Sequence, residues 1–197
     1  MNMSTIRPVL TGLALLFAVA LSASLPLAAK ADEKSGDMGI STQDALALSS
    51  QKDNVLFVDV RDPVEILFVG FTDAVDINIP YLIVDRTQWD SENGRFRLYR
   101  NPDFAAEIEA ALQARGMDKT ATVITMCRSG SERGEPSAAF LKENGFANAR
   151  YVVHGFQGSA IKEGPQKGLR LLNGWQNDGL PWQSKPNPDK IYRLDRP

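Results

Sequence analysis

The chain has 197 residues, with 22 basic and 24 acidic side chains, one histidine and one cysteine, and a formal charge of −2. Its basic residues are scattered and no RNA- or DNA-binding motif occurs, so a nucleic-acid partner is not expected. One cysteine cannot close an intramolecular disulfide, one histidine and one cysteine cannot build a conventional zinc site, and no Walker or dinucleotide glycine loop is present, so no metal or cofactor is expected.

Arg7 precedes an apolar run, Leu13 to Leu21, which gives way to small residues and Pro26, the pattern of a secretory signal peptide. Ala29-Lys30-Ala31 places small residues where a signal peptidase reads. Residues 1–31 are therefore expected to be removed, giving a periplasmic or secreted chain that starts at Asp32. The stretch Val9 to Leu27 approaches a bilayer span, but Gly12, Ser22, Ser24 and Pro26 interrupt it, so no membrane attachment is expected after cleavage. Cleavage takes Arg7 and Lys30 and no acid, moving the formal charge from −2 to −4. What remains suits one domain: a linker at 32–39, a domain at 40–183 and a tail at 184–197.

Ser41 or Thr42 can cap a helix over Gln43 to Ser50, and Lys52-Asp53-Asn54 turns the chain into a β-rich run, Val55 to Val58. Asp62 before Pro63 ends that strand, and Pro63 opens a short helix to Val69, closed by Gly70. Ala74 to Ile79 alternates as a second strand and stops at Pro80. Tyr81 to Asn101 shows no clear period and reads as an excursion over the surface, with a turn signal at Glu92-Asn93-Gly94. Pro102 then opens a helix from Asp103 to Arg115, with Phe104, Ile108, Ala111 and Leu112 at helical spacing. Thr120 to Met126 is a buried-type strand, Glu135 or Pro136 to Glu143 a helix, and Tyr151 to Val153 a further strand. After Gly155 the glycine-rich tail is expected as packed loop with one or two short helices, its last dozen residues draping on the surface or fraying. Strands alternating with helices imply an α/β fold with a mostly parallel sheet covered on both faces, and ligands in such sheets sit at the carboxyl ends of strands.

Cys127 lies at such an end. Taken alone, a free cysteine is commonly a core residue. An exported lone thiol is nonetheless a liability unless it is used. The loop after it, Arg128-Ser129-Gly130-Ser131-Glu132-Arg133-Gly134, is small, polar and cationic. Its glycines let the backbone curl so that several N–H groups point inward, and the following helix adds partial positive charge. That field favours a thiolate at Cys127 and holds an anion near it. Each member also has a plainer reading: Ser129 to Ser131 an ordinary turn, Arg128 a solvated charge, Glu132 and Arg133 an exposed pair of little energetic weight. Their convergence behind a strand-end cysteine favours a site.

Cys127-Arg128-Ser129-Gly130 after an apolar strand resembles the active loop of the rhodanese-like family. Asp59-Val60-Arg61 followed by Glu65, then Gly70…Ala74…Asn78-Ile79-Pro80, and Asn173-Gly174-Trp175…Gly179-Leu180-Pro181 are similar to that family's motifs in order, over about residues 40 to 183. The resemblance implies a five-stranded parallel-type sheet and a sulfurtransferase in which Cys127 takes sulfane sulfur from thiosulfate or a similar small anion as a persulfide. It implies cyanide or an external thiol as acceptor, or a sulfur-carrier protein. Arg128 and Arg133 would bind the oxyanion end, and loop N–H groups from Ser129 through Glu132 would hold the persulfide. Asp59 and Arg61 match a structural motif and are assigned support.

Two departures stand out. The commoner loop closes with arginine five positions after the cysteine; here Glu132 is there and Arg133 follows it. The Cys-x5-Arg spacing is similar to that of cell-cycle phosphatases and arsenate reductases of the same fold, which gives an alternative chemistry at phosphorus or arsenic. A non-catalytic binding module is a further alternative, disfavoured by an intact Cys127. Phe71 stands where the family often has histidine. His154 is expected to serve strand-end packing or hydrogen bonding rather than as a base, and Trp175 and Trp182 are expected as core or lid aromatics. The insertions at 81–101 and 156–174 are where substrate choice is expected to be made.

Overall fold

A computed structural model describes Met1 and residues 38–195. The expected signal peptide, its cleavage site and most of the linker lie outside the described residues. The chain divides into two compact units, residues 1–30 and 31–197, and every element below belongs to the second.

In chain order the elements are β1 (Gly39–Ile40), α1 (Thr42–Ser49), β2 (Val55–Asp59), α2 (Pro63–Val69), β3 (Ile77–Asn78), β4 (Leu82–Asp90), β5 (Arg95–Arg100), α3 (Phe104–Gln113), β6 (Thr122–Met126), α4 (Gly134–Glu143) and β7 (Ala149–Val152). Five strands form one sheet in the order β1-β7-β6-β2-β3, and all its pairings are parallel. The expected α/β architecture is the one found.

β2 shows why the sheet is covered on both faces. All five of its residues are buried. Alternate side chains leave a strand on opposite sides. Leu56 and Val58 join Ile108 and Leu112 of α3 and Ala138 and Leu141 of α4. Val55 and Phe57 join Ala45 of α1 and Ile66 of α2. Each such fully buried aliphatic or aromatic side chain contributes about 1.5–3 kcal/mol.

Local chemistry sets the helix starts. Ser41 Oγ accepts the Asp44 N–H at 3.0 Å, and Asp62 Oδ1 accepts the Val64 N–H at 2.8 Å with Pro63 at the first helical position.

The structure departs from expectation in four places. Tyr81 to Asn101 is no irregular excursion: β4 and β5 pair as an antiparallel hairpin. Its period is hidden because the register shifts between Asp85 and Trp89, and charged residues lie along both strands. The strand expected over Ala74 to Ile79 shrinks to Ile77–Asn78, because Val75 N–H closes a turn on Thr72 O and the Asp76 carboxylate instead accepts Phe57 N–H at 2.9 Å. β1 forms at Gly39 with little sequence signal. The segment after Gly155 has turns but no helix among the described residues.

Of the two outcomes expected for the tail, residues 190–192 show the ordered one, held on the surface of the domain. Lys190 O accepts Asn78 N–H at 2.7 Å, Tyr192 N–H donates to Asn78 Oδ1 at 3.2 Å, and Tyr192 OH donates to Glu107 Oε1 at 3.2 Å. This covers the β3 edge that would otherwise offer unpaired backbone groups. Among the described residues, no helix is long and apolar enough to cross a membrane.

Candidate active site

β6 lies between β7 and β2, and its carboxyl end delivers Cys127 to the mouth of the sheet. The residue is fully buried. Gly130 N–H donates to Cys127 Sγ at 3.2 Å, and a Cβ built on Gly134 would stand 3.4 Å from the sulfur. The sulfur therefore rests against the first residue of α4, where unsatisfied helix N–H groups favour negative charge. Among the described residues, Gly130 supplies the backbone N–H hydrogen-bonded to it.

The loop is held by its own backbone. Phe156 N–H donates to Cys127 O at 2.8 Å, Gln157 N–H to Arg128 O at 2.8 Å, and Glu135 N–H to Gly130 O at 2.8 Å. Gly130 has φ +85°, and a Cβ there would lie 1.8 Å from Val153 O. Only glycine fits both the left-handed backbone and the close approach to β7's end.

The expected loop residues separate into distinct surroundings. Arg128 donates from Nε to Gln157 Oε1 at 2.8 Å. Arg133 donates from Nη1 to Glu65 Oε2 at 2.5 Å and from Nη2 to Glu65 Oε1 at 3.1 Å, while its buried Nε has no partner. Ser129 and Ser131 hydroxyls stand 3.4 Å apart. Glu132 is turned outward onto Arg95 of the hairpin. Burial opposes charge on both members of the Arg133–Glu65 pair, but their hydrogen bonds and mutual attraction outweigh it, holding the guanidinium above its ordinary range and the carboxyl below 4.5.

Two cavities flank the loop. One, of about 400 Å³, is lined by Glu65, Arg128, Arg133, Arg170 and the hairpin residues Phe96 and Leu98. The other, of about 600 Å³, is lined by Ser129, Gly130, Tyr151, His154, Lys162 and Arg170. His154 thus faces a cavity at the end of β7.

Asp59 and Arg61 sit behind the site as a fully buried pair, Arg61 Nη2 to Asp59 Oδ2 at 2.6 Å. Arg61 also donates to Gly70 O at 3.0 Å, and its guanidinium lies 4.2 Å from the Phe156 ring centroid. The pair braces β2, the end of α2 and the segment that carries the loop's backbone partners. Trp175 is buried, with Nε1–H on Pro181 O at 2.9 Å, whereas Trp182 is half exposed beside Phe156.

In the sequence Glu65 appears as a motif residue with no partner assigned, and Gln157 and Arg170 carry no signal of their own. Glu65 follows Asp62 at capping-box spacing and so reads as a helix-start residue. Arg170 lies in a glycine-rich insertion with no periodic signal.

The sequence model of the rhodanese-like domain matches residues 41–161. The chain belongs to the rhodanese-like domain family. Among solved structures, this rhodanese-like chain is similar to Rv0390 from M. tuberculosis, at 28% identity over 74% of this chain and 96% of that one, with a TM-score of 0.53. The polysulfide-sulfur transferase homodimer from Wolinella succinogenes is 22% identical over 74% and 77%, with a TM-score of 0.41. The Rhodopseudomonas palustris structure named "Protein of Unknown Function RPA3614, Possible Tyrosine Phosphatase" is 22% identical over 60% and 75%, with a TM-score of 0.38. No curated protein matches the rhodanese-like chain.

Proposed function

We propose that this rhodanese-like protein is a sulfurtransferase that takes sulfane sulfur from thiosulfate or a similar donor and passes it to a thiophilic acceptor. The observation that carries the reading is Cys127 Sγ at the end of β6, accepting Gly130 N–H at 3.2 Å against the start of α4. A thiolate there attacks the outer sulfur of thiosulfate. The new S–S bond gives a Cys127 persulfide, and the old S–S bond breaks with its electron pair leaving on sulfite. Cyanide or a thiolate then removes the outer sulfur and restores the Cys127 thiolate. The same Gly130 N–H and helix start favour the persulfide anion.

Chemistry at phosphorus or arsenic is the second reading, and the Cys-x5-Arg spacing is what favours it. Against it, Glu65 takes two of Arg133's five N–H donors, and its carboxylate offsets the charge that an oxyanion would meet there. A purely binding role is disfavoured by the hydrogen-bonded sulfur.

Mature protein incubated with thiosulfate should gain the mass of one sulfur atom on Cys127 and convert cyanide to thiocyanate, and Cys127→Ser should do neither. No adduct with any sulfane donor would refute the reading. Hydrolysis of an aryl phosphate or reduction of arsenate on the same plate would transfer the assignment to the second. We further propose export, with the N-terminal segment removed before Asp32. N-terminal sequencing of protein from the cell envelope checks this, and an intact Met1 start would overturn it.

A further inference from the structure

The insertion over residues 156–174 is a built loop, not a slack one. A Cβ on Gly174 would lie 2.4 Å from Gly158 N, so its two ends meet backbone to backbone. Ser159 N–H donates to Asn173 Oδ1 at 2.8 Å. Asn177 Nδ2 lies 3.1 Å from Gln157 O, 3.2 Å from Arg170 O and 2.8 Å from Asn173 O. Inside the loop, Ile161 N–H reaches Leu169 O at 2.8 Å and Gly168 N–H reaches Ile161 O at 2.9 Å. These are the features of a closed Ω-type loop whose ends are near each other.

Its product is the placement of Arg170. Arg170 Nη1 donates to Gly158 O, while the preceding residue, Gln157, takes Arg128 Nε at 2.8 Å. Neighbouring residues thus hold two half-buried guanidiniums side by side. Two other arginines around the site have a carboxylate: Asp59 pairs with Arg61 and Glu65 with Arg133. Among the described residues, neither Arg128 nor Arg170 has an acidic group within ion-pair distance. Burial, and then the charge of Arg128, push the Arg170 guanidinium below its ordinary range. Arg170 lines both cavities beside Ser129, and Arg128 lines the smaller. Glu65, already bound to Arg133, acts on both guanidiniums from beyond ion-pair distance, and the repulsion left between the two like charges is relieved when an anion enters between them.

Resting on the sulfur-transfer reading above, we propose that Arg128 and Arg170 form the oxyanion clamp of this site and select donors with a sulfonate end, Arg133 being a positioning residue held by Glu65. As the S–S bond of such a donor breaks, charge gathers on the departing sulfite oxygens, where two guanidiniums stabilise it.

The test compares wild type, R170Q and R170K with two donors: thiosulfate, which has a sulfonate end, and inorganic polysulfide, which has none. Loss of one charge-assisted contact should raise the KM for thiosulfate about 10- to 100-fold in R170Q, with partial recovery in R170K. The KM for polysulfide should stay within about twofold, because no oxyanion contact is lost. Equal KM values for thiosulfate in wild type and R170Q would overturn the clamp, as would equal losses with both donors, which mark a merely structural residue. A second arm needs no turnover: sulfate and phosphate are titrated calorimetrically into Cys127→Ser with and without R170Q. If wild type takes sulfur from neither donor, the sulfur-transfer reading fails by itself. The clamp then stands if R170Q abolishes anion binding and falls if it does not.

Discussion

Arg133 spans 68 positions of sequence to donate twice to Glu65, at 2.5 and 3.1 Å. The pair joins the last residue of the cysteine loop to the first turn of α2. It also sets a pH dependence. Burial alone would raise the Glu65 pKa, but the bond to Arg133, its charge, and those of Arg61 and Arg128 lower it from 4.5. A carboxylate depressed in the folded state adds stability that is fully present above its unfolded pKa and lost as pH falls through the folded value. Glu65→Gln should therefore cost roughly 2–3 kcal/mol at neutral pH, between the values for exposed and fully buried pairs. Urea unfolding of wild type and variant should show that gap constant above pH 4.5 and closing below it. A gap that widens on acidification would contradict the assignment.

Asp59 and Arg61 are both 0% exposed, and Arg61 Nη1 has no hydrogen-bond partner. Removing one partner strands a buried charge. Asp59→Ala should lower the unfolding free energy by about 3–5 kcal/mol, while an apolar double replacement, Asp59→Leu with Arg61→Met, should lose less than the single variant. Equilibrium denaturation of the three chains decides this, and a double variant worse than Asp59→Ala would show that the pair's hydrogen bonds outweigh its desolvation.

Gly130 combines φ +85° with the 1.8 Å approach of a hypothetical Cβ to Val153 O. Left-handed backbone costs a non-glycine residue about 1–2 kcal/mol before the clash is counted. Gly130→Ala should displace the loop and take its N–H from Cys127 Sγ, so sulfur loading should fall by more than the loss of stability explains. Mass spectrometry after a timed thiosulfate exposure, at a temperature where the variant is folded, measures it.

Asn177 clasps the base of the 158–174 loop through one side-chain nitrogen. Asn177→Ala should leave global unfolding almost unchanged, increase hydrogen exchange at Ser159 and Ile161, and raise the thiosulfate KM in the same direction as R170Q. Unchanged exchange in the loop would show that the Gly158–Gly174 contact suffices to close it.

Where sequence reading succeeded, the information was local. Ser41, Asp62-Pro63 and Gly70 mark helix ends through contacts within a few residues, and Val55 to Val58 carries its burial in composition. The Cys127 loop was legible because its glycines, arginines and sulfur are contiguous. What escaped was set by distant partners. Glu65 stood in a family motif, but nothing in the sequence named Arg133 as its partner 68 positions on, and Arg170 had no signal apart from the loop that carries it. The hairpin was hidden by its register shift, and β1 by being only two residues long.

β1 has a consequence beyond architecture. It is the first strand described, yet Gly39 pairs with Tyr151 and Ile40 with Val152 of the last strand. The outer edge of the sheet therefore cannot be laid down until β7 has been released from the ribosome and its neighbours are in place. Pairings so far apart in sequence slow folding, because chain closure is paid in entropy before any contact rewards it. A protein assembled in this order keeps one edge of its sheet open until β7 is available to pair with β1.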